Sequence, residues 1–370
     1  VSSTSTAANI FVDDMSVFNT VPTSIGLTGI TSAQSGDWAA TSTWVGGVVP
    51  SATDNVIIAA GHTVSTAASL TRTGSTTVNG TFQLNNGGFA SGTNFTYGSS
   101  GGLNFNSSGA YGVDASHVYW PTTSGPVNVS VLQGGLTLNA GANRTVSGTF
   151  QTAAGVTFGS ATLTFNGICR INTGGFFNNT PSYGSTSTLI YNTGSTFGRG
   201  NEWTTATSGA GYPANVQVSN PGTVTTVNMG SNFAQCSGTL TIDASTIMNT
   251  PSGGLIVLGN VVNNGTISLG GDVTTPGNWT LGASATQTNN NRAVFFNGAT
   301  GTQTITRTGG GNVFFDYLII NKAAGSVQLS ASPATSITIN TTAGEVLQLL
   351  NAGAFDLNGQ SLTLNNTNGT

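Results

Sequence analysis

The feature that most constrains this chain is a strand rhythm that runs through almost all of it. Short pieces alternate apolar residues with Thr, Asn, Gln or Ser, and Gly-rich turns separate them, as in 75–84 (STTVNGTFQL), 101–106 (GGLNFN) and 156–165 (VTFGSATLTF). Successive side chains of a strand point to opposite faces, so this alternation places one face in a core and the other in water. Turn signals recur about every 8 to 12 residues, the spacing of an all-β array. No stretch carries a helical period. A β-sandwich would share these local signals, so longer repeats must decide the architecture.

Such repeats are present. A loop-then-strand phrase occurs as Gly125-Pro126-Val127-Asn128-Val129-Ser130-Val131 and again as Gly211-Tyr212-Pro213-Ala214-Asn215-Val216-Gln217-Val218. A looser third copy is Phe314-Phe315-Asp316-Tyr317-Leu318-Ile319-Ile320. The matching positions Asn128, Asn215 and Tyr317 are 87 and 102 residues apart. Similar strands follow each copy at 147–150, 237–240 and 344–347, and the last two copies are preceded by 189–192 and 294–297. Repeated sandwiches would need separate cores and linkers, and no linker is visible between the copies. The pattern therefore predicts an all-β fold, a β-solenoid over 31–370. An entrance or capping region (31–109) precedes three super-repeats, roughly 110–188, 189–292 and 293–370. With about 20 to 25 residues per rung and about 4.8 Å between rungs, it makes on the order of 14 rungs and about 70 Å. Asn-rich turns such as Asn85-Asn86 and Asn263-Asn264 are expected to bond rung to rung.

Composition narrows the function classes. Charged residues are 5% of the chain, against roughly 25% in ordinary soluble proteins. Hydrophobic residues still reach 37% and the net charge is only −4, which argues against disorder. The cations Arg72, Arg144, Arg170, Arg199, Arg292, Arg307 and Lys322 are scattered singly, so no basic patch exists to neutralise phosphates, and nucleic acid is a poor partner. No apolar run approaches the roughly 20 residues of a helical membrane span. Cys169 and Cys236 stand alone without metal-type spacing and read as small core residues. Scarce lysine with abundant Thr and Asn fits an exported surface protein.

Three stretches resemble known families. Residues 9–18 (NIFVDDMSVF) are similar to the closing strand of a jelly-roll carbohydrate-binding module. One strand cannot satisfy its own backbone groups. The resemblance therefore implies that 1–30 is the end of a preceding β-sandwich domain plus a linker from Val21. Asp13 and Asp14 would be either calcium ligands of that domain or strand–turn residues, and no metal is assigned to them. Within 35–65, Thr43-Trp44, Gly46-Gly47, Pro50, Asp54-Asn55-Val56-Ile57-Ile58 and Ala60-Gly61-His62-Thr63-Val64 resemble the start of the eight-glycine domain of surface proteins. That likeness implies a right-handed parallel β-helix. From 118 to 370, phrases such as VFFNGATGTQTI, FFDYLIINKAAGSVQL and GAFDLNGQSLTLNN resemble the β-helix regions of large type IX-secreted surface proteins of the Bacteroidota. The resemblance implies a cell-surface or extracellular location and a segment of a longer chain. It further implies a structural role as the shaft of an adhesin or fibre, with surface glycans or self-association as partners.

Candidate residues follow from the rung picture. Trp38 and Trp44 suit a cap on the exposed first rung, with glycan stacking as the other reading. Trp120 and Trp203 precede Gly125 and Gly211 by five and eight residues. Equivalent placement means either an outward aromatic row for sugars or a recurrent loop anchor packed on the solenoid. The carboxylates Asp37, Asp54, Asp114, Asp243, Asp272, Asp316, Asp356, Glu202 and Glu345 are dispersed, whereas glycosidases need two about 5 to 10 Å apart. Lys322 reads as a solvated charge in a loop. His62 belongs to the entrance turn, and His117 has only Asp114 near it in sequence, without a nucleophile motif. No phosphate loop, zinc motif or calcium nonapeptide is present. No catalytic residue, cofactor or metal is assigned. The runner-up function is a carbohydrate-binding or polysaccharide-degrading β-helix.

Overall fold

The computed structural model describes residues 29–341 and 344–366. The predicted strand at 9–18 and nearly all of the linker lie outside the described residues. The described chain is a parallel β-solenoid, as the strand rhythm predicts, with the parallel β-helix architecture that the family resemblance implies. A full rung carries three strands, one on each of three faces. The first face is a single 15-stranded parallel sheet running from Gly36–Asp37 to Ala354–Asp356. The second face is built in blocks of 2, 4, 5 and 3 strands, and the third in blocks of 4, 3 and 6. Register partners on the first face lie between 18 and 28 residues apart, as in Val64↔Phe82 and Gly36↔Val64. Its 15 strands, about 4.8 Å apart, make a rod of about 70 Å.

The alternation seen in the sequence becomes the core directly. In Thr81–Asn85 the burial alternates, with Phe82 and Leu84 inward and Gln83 outward. The inward column then continues through Leu103, Val129, Phe150, Cys169 and Leu189 to Trp279 and Ile305, all buried. One hydrophobic cluster extends from Trp38 to Val346. Each fully buried aliphatic or aromatic side chain is worth about 1.5–3 kcal/mol of transfer free energy. Because each rung touches only its neighbours, stability is close to a sum of local terms.

Two of the three loop-then-strand copies lie on the same face, and the third does not. Asn128–Gln133 and Asn215–Val218 are both first-face strands, four rungs apart. Each follows an irregular loop, residues 114–127 and 199–214, that replaces the third-face strand of its rung. Tyr317–Lys322 instead lies on the third face, and only Asp316 separates it from the second-face strand Gly311–Phe315. The third copy is thus displaced by one face. A strand–turn–strand phrase reads alike on any face, which is why the sequence aligns all three.

Candidate functional surface

The two irregular loops carry Trp120 and Trp203, which are 1% and 0% exposed. Each indole fills the core volume that a third-face strand would otherwise supply. Trp120 packs on Phe105 with centroids 5.6 Å apart and lies under the Arg144 guanidinium at 5.7 Å. Trp203 donates its indole N–H to the carbonyl of Gln235 at 2.7 Å. Neither ring offers a face to a sugar, so the outward aromatic row is corrected to a pair of loop anchors. Trp38 and Trp44 are buried at the N-terminal end of the described solenoid, edge to face at 4.9 Å. Trp44 donates to the Trp38 carbonyl at 2.7 Å, and Arg72 covers the Trp38 ring at 5.2 Å. The Arg72 guanidinium also caps the carbonyls of Ser51 and Asp54.

Lys322 requires a second correction. It is the last residue of a strand rather than part of a loop, and it is fully buried. Its ammonium donates to the Gly298 carbonyl and to Gln303 Oε1, both at 3.0 Å. Desolvation lowers its pKa below the usual lysine value. The strand continues one residue further than the following Ala323-Ala324-Gly325 suggests, and register then turns the side chain inward.

Several carboxylates clip turns or neighbouring rungs. Asp37 accepts from the Ala39 N–H, Asp54 from Ser51, Asp272 from Ala293 and Asp316 from Asn291. Asp243 and Asp356 accept from Gln217 and Gln328, on neighbouring rungs, at 2.8 and 2.6 Å. Glu202 is buried and accepts from the Gly200 N–H and from the Tyr191 hydroxyl at 2.9 Å. Burial raises its pKa above the usual carboxyl value. His117 Nδ1 accepts from the Asp114 N–H at 3.1 Å and pairs with the Tyr119 hydroxyl at 2.6 Å, clasping the 114–127 loop. Desolvation lowers its pKa. His62 pairs with the Ser32 hydroxyl at 2.9 Å. Cys169 and Cys236 are free and buried on different faces, and burial pushes the Cys236 thiol up to about 12. Among the described residues, no group of three or more His, Cys, Asp and Glu is placed to hold a metal ion.

What the surface does present is a set of neutral ladders. On the first face Asn104 donates to Gln83, Gln151 to Ser130, and Asn106 to Asn85 at 3.0 Å, with Gln133 donating to Asn106 at 3.0 Å. The same tie joins Asn192 to Asn172, Asn249 to Asn228 and Asn351 to Asn321. Asn86 likewise bonds Ser107 and Ser108 of the next rung, and the buried Asn263 also reaches the next rung, donating to the Thr286 carbonyl. A second device was not read from the sequence. Asn128, Asn215, Asn260 and Asn278 each accept, through Oδ1, a backbone N–H from the next rung (Thr149, Thr239, Asn278 and Thr304) at 2.8–2.9 Å. The available signal was an Asn immediately before an apolar strand residue. Comparison with known protein families, curated proteins and solved structures returned no match.

Proposed function

We propose that this chain is a non-catalytic extracellular structural solenoid, the shaft or stalk of a cell-surface adhesin or fibre of the type IX-secreted Bacteroidota kind. The observation that supports the reading is the unbroken 15-stranded first face with its side-chain ladders. Backbone and side-chain bonds between rungs run parallel to the long axis, so bending the rod must stretch bonds on one face. The ties are neutral, and salt screens charges rather than neutral hydrogen bonds. Such a rod keeps its stiffness in a medium of varying ionic strength. The test is electron microscopy of native material with an antibody against this segment as the marker. The expected image is a straight rod continuous with further domains of one long chain, or with identical segments joined end to end. A label on isolated globular particles, or polysaccharide cleavage by the purified segment, overturns the reading.

A further inference from the structure

On the second face, the strands Tyr111–Val113, Leu136–Leu138, Gly155–Thr157 and Phe176–Phe177 stack in register. Two outward rows result. One holds Ala110, Gly135, Gly155 and Phe176, and the other holds Gly112, Thr137, Thr157 and Asn178. Phe177 turns into the core, which leaves Phe176 outward and 46% exposed. The far end of its ring lies against Gly155, where an added Cβ would meet it at 2.7 Å. A side chain at 155 would displace the ring, so glycine there lets it rest on the backbone while it stays exposed. Asn178 donates to the Thr157 hydroxyl at 2.8 Å, aligning the polar row beside the ring. The open shelf above these rows has a volume of about 490 Å³.

We infer that this shelf is a docking platform for a neutral polysaccharide. The apolar face of one pyranose ring would lie on Phe176 with its hydroxyls toward Asn178 and Thr157, and the next sugar of the chain, about one rung of 4.8 Å further along, would reach Thr137. An aromatic ring suits the C–H face of a sugar because the ring face is electron-rich and the sugar's axial hydrogens are apolar. The Gly155 backbone already holds Phe176 in place, so binding spends little side-chain entropy. The polymer is neutral because the residues lining the shelf, among the described residues, are uncharged. A row of hydroxyl and amide groups repeating with the rungs fits a repeating chain better than a compact ligand. The inference stands whether or not the rod is a shaft.

The experiment is native electrophoresis of the chain in gels containing dextran, laminarin, mannan or xyloglucan, with alginate as the acidic control. At least one neutral polymer is expected to retard the wild type, and Phe176→Ala to weaken that retardation about tenfold. Gly155→Ala, which pushes the ring off the shelf, should weaken it as well. Phe314→Ala removes another exposed second-face ring and should leave retardation unchanged. Should Phe176→Ala fail to fold, judged by its melting curve, Thr157→Val keeps the side-chain shape and takes its place. No retardation by any neutral polymer, retardation by alginate alone, or wild-type retardation of Phe176→Ala overturns the proposal. So does concentration-dependent self-association that Phe176→Ala abolishes without any polysaccharide effect.

Discussion

Replacing Trp203 with alanine removes the largest side chain of the 199–214 loop from a site with no solvent exposure. A tryptophan buries about 150–250 Å², and at about 25 cal/mol per Å² that is about 4–6 kcal/mol of transfer free energy. Truncations of buried Trp or Phe to Ala measure about 3–5 kcal/mol once the cavity and its relaxation are included. The Gln235 carbonyl also loses its indole donor, a further loss of about 1 kcal/mol. The expected destabilisation is therefore about 4–6 kcal/mol. Trp203→Phe keeps most of the area and loses the hydrogen bond, at about 1–2 kcal/mol. Because rungs interact only with neighbours, the damage should be local. Hydrogen exchange followed by mass spectrometry should show faster exchange in residues 199–214 and in Thr188–Asn192, Asn215–Val218 and Ala234–Cys236, with distant rungs unchanged. Urea unfolding followed by circular dichroism supplies the energies. A loss under about 1 kcal/mol, comparable to Val48→Ala at a side chain 60% exposed, would refute the anchor argument. Exchange that rises evenly along the rod would refute its locality.

Three further outcomes are expected. Glu202 binds its proton more tightly folded than unfolded, because burial raises its pKa above the ordinary 4.5. Its contribution is fully present below that value and is lost as pH rises through the raised one. Urea midpoints at about pH 4 and about pH 8 should therefore differ less for Glu202→Gln than for the wild type. Gly325 has a φ of +84° and sits where a Cβ would run into the Gly301 carbonyl oxygen, whereas Gly359 at +72° has open space around it. Gly325→Ala should lower the melting temperature clearly more than Gly359→Ala, for which backbone strain alone costs about 1 kcal/mol. Asn106→Ala breaks two rung-to-rung bonds, to Asn85 and from Gln133. A loss of about 1 kcal/mol in urea unfolding is expected, and it should be the same in low and high sodium chloride, since the bonds are neutral.

The solenoid was legible because its signal is local. Period-2 alternation in stretches such as Thr81–Asn85 or Ile168–Asn172 survives unchanged as inward and outward columns. The Asn85-Asn86 turn forms the rung-to-rung bonds its composition suggested. The candidate residues were less legible. Trp120 and Trp203 were placed equivalently by the sequence, yet equivalence does not say whether a loop's aromatic points in or out. The missing third-face strand in those rungs draws both inward. Lys322 looked like a loop charge because alanines and a glycine follow it. Phe176 and Phe177 are adjacent and chemically identical, and pairing of Phe177 with Val156 selects Phe176 for the surface.

What the sequence determined alone is the strand pattern, the all-β class and a core that continues from rung to rung. These follow from backbone geometry within a few residues, since a strand must alternate its side chains whatever lies elsewhere. The tertiary structure decided which face each strand occupies, and hence which residues become neighbours. That choice depends on rung lengths that vary from 18 to 28 residues, accumulated over every turn before it. A one-face slip leaves each local phrase intact, as the displaced third copy at Tyr317 shows, while changing every contact it makes.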